Sequence, residues 1–134
     1  MMTLRLLTSN MRKAIRVFKD IQNLAELGSR VHDFNASRNW QVYHIPKNLA
    51  CAIAAEAGEL LELFQWLTPE ESQSLEVDYR QTVAAEMADI LIFMLSLADT
   101  LQIDIAEAVI NKLEKNAVKY PPDKPFDPFG KEHH

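Results

Sequence analysis

Apolar residues recur at spacings of three and four along most of the chain, which is the period of an amphipathic helix. Pro46 and Asp104 stand where two of these apolar stretches begin, and Thr68 followed by Glu71 predicts a capping box at a short extra helix. Few glycines occur. The pattern therefore predicts an all-α fold, a four-helix bundle with main helices over about residues 20–37, 47–66, 77–101 and 105–119.

Two of the predicted helices each carry a pair of acids three residues apart. On a helical wheel Glu56 and Glu86 fall inside the apolar arcs, Glu59 and Asp89 fall at their edges, and Glu62 falls opposite. Buried carboxylates without partners are costly, and two such pairs on neighbouring helices repel each other. A hard divalent cation with oxygen ligands removes both costs. We therefore favour a Mg²⁺ or Mn²⁺ site over the alternative of salt-bridged or edge-exposed acids.

Absent motifs, net charge and the lack of a long apolar run limit the classes of protein to which the chain can belong. Neither the Glu-x-x-His pair of di-iron bundles nor a P-loop occurs, so the acids favour metal-assisted hydrolysis of a phosphate ester or phosphoanhydride. The net charge of −5 argues against a nucleic-acid polymer as partner, and no apolar run predicts a membrane span. The single cysteine, Cys51, is interpreted as a core thiol and predicts a cytoplasmic location.

An ordered set of motifs runs through the chain. In sequence order they are Phe34-x-x-x-Arg38-x-Trp40, His44-x-Pro46-x-Asn48-Leu49, Glu56-x-Gly58-Glu59-Leu-x-Glu62-x-Phe-Gln-Trp66, Glu86-x-x-Asp89-Ile-Leu and Lys112-x-x-x-Asn116-x-x-x-Tyr120-Pro121. This set resembles the MazG-like all-α nucleoside triphosphate pyrophosphohydrolases, in particular their dCTP pyrophosphatase branch. The resemblance covers residues 20–122, which leaves an N-terminal extension over 1–19 and a flexible C-terminal tail over 123–134.

The resemblance implies Mg²⁺-dependent hydrolysis of (deoxy)nucleoside triphosphates to the monophosphate and pyrophosphate, with dCTP or a related dNTP preferred, as nucleotide-pool house-cleaning. It implies that four acids hold the metal ions: Glu56, Glu59, Glu86 and Asp89. Glu59, with Glu56 as the second candidate, would orient or deprotonate the attacking water. The implied substrate contacts are Trp40, His44, Lys47, Trp66, Phe93, Lys112, Asn116 and Tyr120.

Two positions depart from the family pattern, and both concern the base. Phe93 stands where relatives often carry a tyrosine, and Val31 where some carry a base-contacting histidine. Each substrate residue also has a plainer interpretation. Trp40 would plug the end of the bundle, Trp66 and Phe93 would be core, Lys112 and Lys119 would be helix-end cations, and Tyr120 would cap the bundle.

The two acid-bearing helices also carry apolar residues outside the arcs that hold the acids. Leu61, Leu91, Ile92 and Leu95 lie away from those arcs, whereas the last helix is predicted to turn Ile105, Ala106, Val109, Ile110 and Leu113 inward. The surplus predicts a homodimer or homotetramer, although a helical segment over residues 11–19 would cover part of it. The family resemblance likewise implies an oligomer with an active site partly shared between subunits. The competing hypotheses are a nucleotide-binding or helical interaction module without turnover, and a purely structural helical oligomer.

Overall fold

The computed structural model describes residues 23–123, and all regular structure in that range is helical, which confirms the all-α prediction. A 3-10 turn over Trp40–Val42 lies between the first two helices. The predicted N-terminal extension and nearly all of the predicted C-terminal tail lie outside the described residues. The helices are α1 Leu24–Ser37, α2 Pro46–Phe64, α3 Pro69–Gln73, α4 Val77–Thr100 and α5 Ile105–Lys119.

Local chemistry fixes the helix starts. The Thr68 hydroxyl accepts the Glu71 backbone N–H at 3.2 Å, and the Glu71 carboxylate accepts the Thr68 N–H at 2.8 Å, so the predicted capping box is confirmed. Pro46 occupies the first turn of α2, and the Asp104 side chain caps α5, both as predicted. Asn23 caps α1, so this helix begins slightly later than its apolar pattern indicated.

The core forms where α2 and α4 run beside each other, with α1 packed against α4. Leu49 of α2 and Val83 of α4 are buried, as the apolar arcs predicted. The other predicted arc positions are at least half-buried: Ile53, Leu60, Leu63 and Phe64 on α2, and Leu67 shortly after its end. The acid-bearing faces of the two longest helices are therefore the faces that meet.

Leu95 was expected among the uncovered apolar residues, and this expectation is wrong. It is only 5% exposed because α1 covers it, and a Cβ atom at Gly28 would lie 3.8 Å from Leu95 Cδ2. Beside it, Asn35 Nδ2 donates to Ser96 Oγ at 3.0 Å. A satisfied polar pair of this kind avoids the cost of burying an unpaired amide. The helix α4 therefore buries two faces, one against α2 and one against α1.

The predicted inward face of α5 is also wrong for a single chain. Of the five residues predicted to face inward, only Ile105 at the start of the helix is half-buried, whereas Val109, Ile110 and Leu113 are 49%, 57% and 61% exposed. The helix makes no extensive contact with α1, α2 or α4. Three of the four long helices thus pack together, and the described residues of one chain do not form the predicted four-helix bundle.

Cys51 is exposed rather than a core thiol. It lies two residues after the buried Leu49, so the helical rotation of about 200° carries it to the opposite side of α2. The alanine-rich stretch around it suggested burial because small apolar residues occur on both helix faces.

By length and apolar composition alone, α4 qualifies as a candidate membrane-spanning helix, which the sequence pattern had not indicated. The core helix of a soluble protein meets the same criterion. In one chain α1 and α2 pack against α4, and 22% of its apolar window is buried. A single helix of this kind is weak evidence for a membrane span.

An ion pair joins α1 to the end of α4. His32 Nδ1 lies 2.7 Å from Asp99 Oδ2, and both side chains are about half exposed. The hydrogen bond with Asp99, together with its negative charge, raises the pKa of His32 above 6.5. The stabilisation is therefore fully present below pH 6.5 and is lost as the pH rises through the folded-state pKa.

We expect Asp99→Asn to lower Tm by about 1–3 °C at pH 5.5, the size typical of an exposed ion pair. At pH 8.5 the loss should be smaller, because His32 of the wild-type protein loses its proton as the pH rises. Thermal unfolding followed by circular dichroism measures both values. An equal loss at the two pH values would contradict a contribution from the charged imidazole.

Candidate active site

Three of the four acids that the sequence singled out meet across α2 and α4. One carboxylate oxygen from each of Glu56, Glu86 and Asp89 can be chosen so that all lie within 4.8 Å of one another. Residues three apart share a helix face, so Glu86 and Asp89 project together from α4 towards α2. We call these three residues the acid cluster.

The electrostatics of the acid cluster are unfavourable without a cation. Glu56 Oε2 and Glu86 Oε2 are buried and have no hydrogen-bond partner. A hydrogen bond with Glu59, burial, and the negative charges of Glu59, Asp89 and Glu86 raise the pKa of Glu56 to about 7. Two buried, unpartnered oxygens within an all-oxygen set fit a hard divalent cation such as Mg²⁺ or Mn²⁺.

The acids of α2 differ in exposure with their angle around the helix. Glu56 is half-buried, Glu59 is exposed one turn later, and Glu62 is exposed on the opposite side. Glu59 lies outside the acid cluster, and its interaction with Glu56 is the largest cause of the raised Glu56 pKa. Glu59, like Asp89, is therefore accessible to a water molecule or ligand that approaches from solvent.

Aromatic rings form a continuous line beside the acid cluster. Ring centroids are 5.6 Å apart for Phe34 and Trp40, 6.1 Å for Trp40 and His44, and 6.2 Å for His44 and Phe93, with tilted or edge-to-face geometry. These four residues are the aromatic row. Phe93 follows Asp89 by one turn of α4, so the row ends next to the acids. Three predicted substrate residues, Trp40, His44 and Phe93, thus lie together.

Two polar residues that hold the loop of the aromatic row had no role assigned from sequence. Asn48 donates to the Tyr43 carbonyl at 3.0 Å, and Thr100 lies 3.4 Å from the His44 carbonyl. Asn48 belongs to the motif His44-x-Pro46-x-Asn48-Leu49, so the sequence offered a signal that could have pointed to it. Thr100 is 56 residues from its partner and carried no signal, because neither helical period nor capping rules link such distant positions.

The other predicted substrate residues lie apart from this centre. Lys47 is exposed in the first turn of α2, and Trp66 is 86% exposed, so Trp66 is not core in a single chain. On α5, Lys112 is exposed and Asn116 is half-buried, and Tyr120 at its C-terminal cap is exposed. Across the described residues of one chain, no hydrogen bond, ion pair or ring contact joins these five residues to the acid cluster.

Known proteins are similar to this chain in sequence and in fold. Residues 51–127, more than half of the chain, match the MazG-like family. Over 95 residues the chain is 39% identical to dCTP pyrophosphatase 1 of Homo sapiens and 40% identical to that of Bos taurus. The aligned part is 69% of this chain and 56% of each relative, so the chain spans about half the length of the curated relatives it matches.

The fold has a solved counterpart as well. The crystal structure of a pyrophosphatase from Archaeoglobus fulgidus is 41% identical, with a TM-score of 0.68, and the match covers 76% of this chain and 99% of that one. The match extends over almost the whole of that solved chain, and the family model covers more than half of this one. Together they show common family membership and not only a similar fold. The chain therefore belongs to the MazG-like family, on the branch of the dCTP pyrophosphatase 1 proteins.

Proposed function

We propose that this chain is a Mg²⁺-dependent nucleoside triphosphate pyrophosphohydrolase that converts (deoxy)nucleoside triphosphates to the monophosphate and pyrophosphate. The observation that carries the proposal is the pair of buried, unpartnered carboxylate oxygens of Glu56 and Glu86 within the acid cluster. The relatives named dCTP pyrophosphatase 1, and the Archaeoglobus fulgidus pyrophosphatase, support this reaction class.

The acids have two proposed roles, cation binding and activation of the attacking water. Glu56, Glu86 and Asp89, with Glu59 beside them, are the ligands for the cation, which when bound supplies positive charge to the substrate phosphates. Glu59 is exposed to solvent beside Glu56, whose pKa its interaction raises. An exposed carboxylate beside the cation is placed to accept a proton from a water molecule. We therefore assign Glu59 to orient and deprotonate the water that attacks the α-phosphorus.

The aromatic row supplies the base side of the site. Ring edges and faces bind a planar base by stacking and edge-to-face contact. Among the four rings of the row, His44 carries two ring nitrogen atoms and Trp40 one. Phe34 and Phe93 carry no atom that can form a hydrogen bond with a base. With the named relatives, this supports dCTP or a related dNTP as preferred substrate and a role in clearing the nucleotide pool.

We further propose that a second copy of the chain completes the molecule. The open stripe of α5, formed by Val109, Ile110 and Leu113, is the kind of apolar surface that oligomers bury. The same helix and its C-terminal cap carry three predicted phosphate or sugar contacts, Lys112, Asn116 and Tyr120. Packing of α5 on a second copy would bring them to a site shared between subunits. The proposed enzyme acts in the cytoplasm.

We expect Ile110→Glu to convert the oligomer to monomers at micromolar concentration, because a charge in an apolar interface is desolvated without a partner. The matched control is Asn111→Glu, which places the same charge on the neighbouring polar position of α5. Size-exclusion chromatography with light scattering gives the mass of each variant. An Ile110→Glu protein with the wild-type oligomeric mass would contradict the proposed interface.

The test of the activity is a panel of (d)NTPs incubated with Mg²⁺ or with EDTA. Pyrophosphate is measured enzymatically, and the nucleotide product is identified by ion-exchange chromatography. We expect Mg²⁺-dependent release of equal amounts of pyrophosphate and monophosphate, fastest with dCTP or a close relative. Mg²⁺-dependent nucleotide binding without release would instead support the alternative, a binding or interaction module without turnover.

A further inference from the structure

The loop between α1 and α2 carries Trp40 and His44, two rings of the aromatic row, although little of the loop is buried. Trp40 is 41% exposed and Tyr43 is 68% exposed. Asn39, at the start of the 3-10 turn, has φ 53°, a left-handed conformation that non-glycine residues adopt at some cost. Packing alone is therefore a weak restraint on this segment, and its hydrogen bonds decide where the rings stand.

Two helices hold consecutive carbonyl groups of this loop. From the first turn of α2, Asn48 Nδ2 donates to the Tyr43 carbonyl at 3.0 Å. From the last turn of α4, Thr100 Oγ1 lies 3.4 Å from the His44 carbonyl and 2.9 Å from the Ser96 carbonyl. A hydroxyl has one hydrogen, and the shorter contact takes the larger share of it. Asn48 is therefore the stronger of the two restraints.

We propose that Asn48 is a positioning residue that sets base selectivity by fixing the loop, with Thr100 as a weaker second restraint. The inference rests on the proposed function. When the Tyr43 carbonyl is held, the adjacent His44 ring stays between Trp40 and Phe93, at the end of the row nearest the acids. A pocket ordered before binding loses less entropy on binding and discriminates better between bases.

A purely structural role for Asn48 makes a different prediction. Asn48 is the third residue of α2, where a negative charge interacts favourably with the helix dipole. Asn48→Asp keeps the shape of the side chain and suits the helix terminus. It replaces the donor by an acceptor that repels the Tyr43 carbonyl. If Asn48 served only the helix, Asn48→Asp would be neutral or stabilising and the base preference would not change.

The kinetic test compares Asn48→Asp with wild type on the preferred dNTP and on the other pyrimidine dNTP. We expect KM for the preferred substrate to rise about 5- to 20-fold, with kcat within about 3-fold, and the ratio of the two kcat/KM values to fall by a similar factor. Thr100→Val should move the same ratio in the same direction by less. The matched control, Gln73→Glu, makes the same amide-to-acid change on exposed α3 and should leave both parameters unchanged.

A second readout does not depend on turnover. The chain has two tryptophans, so Trp66→Phe leaves Trp40 as the only fluorescent indole. We expect acrylamide to quench Trp40 more strongly when Asn48→Asp is added to this background, at unchanged helix content by circular dichroism. If the wild type releases no pyrophosphate, the proposed function fails and quenching still judges the loop. Unchanged quenching, or an unchanged base preference in an active enzyme, would overturn the proposal. For a poorly folded Asn48→Asp protein, Asn48→Ala and Thr100→Val are judged by the same two readouts.

Discussion

Glu56→Gln is expected to lower pyrophosphate release by about 10³-fold, the order observed when one group that stabilises transition-state charge is removed. The substitution keeps the size of the side chain and deletes one negative charge from the acid cluster. The remaining acids, Glu86 and Asp89, would hold the cation less tightly. Initial rates of pyrophosphate release at saturating Mg²⁺ measure the effect.

The same helix provides a matched control for this substitution. Glu62→Gln makes the identical chemical change on α2, but Glu62 is exposed on the side away from α4 and from the acid cluster. Its rate should stay within about 2-fold of wild type, as for a surface substitution. Comparable losses in the two variants would show that total charge, rather than the acid cluster, controls the rate.

The metal-free protein should lose stability as the pH rises. The pKa of Glu56 is about 7 in the folded chain, above its ordinary value of 4.5. Folding therefore favours the protonated carboxyl group. The resulting stabilisation is fully present below pH 4.5 and is lost as the pH rises towards 7 and above. In EDTA, we expect Tm of the wild type to fall across this range relative to Glu56→Gln, which cannot ionise.

Adding Mg²⁺ should instead make the wild type more stable than Glu56→Gln. At pH 8 a ligand that binds only the folded state at 100 times its Kd contributes about 2.7 kcal/mol to unfolding free energy. Wild type should gain that stability, and Glu56→Gln should gain much less. Differential scanning fluorimetry with EDTA and with increasing Mg²⁺ measures both trends. A structural oligomer without a metal site predicts the stabilisation of Glu56→Gln in EDTA but no response to Mg²⁺ in either protein.

The sequence by itself determined the helices and the direction of the acids. Helix starts follow from capping residues such as Thr68 and Asp104, whose hydrogen bonds involve neighbours three residues away. The burial of Glu56 and the exposure of Glu62 follow from the 3.6-residue period of one helix. Both effects act within a few residues, so a local pattern is sufficient to predict them.

Tertiary structure decided which faces find a partner. The wheel could not show that α1 covers Leu95, that Val109 and Ile110 stay open, or that His32 pairs with Asp99. These outcomes depend on how whole helices are placed, and many placements satisfy the same apolar period. The loop of the aromatic row is the clearest case. Thr100 reaches the His44 carbonyl only because α4 ends beside the start of α2, and such contacts leave no periodic trace in the sequence.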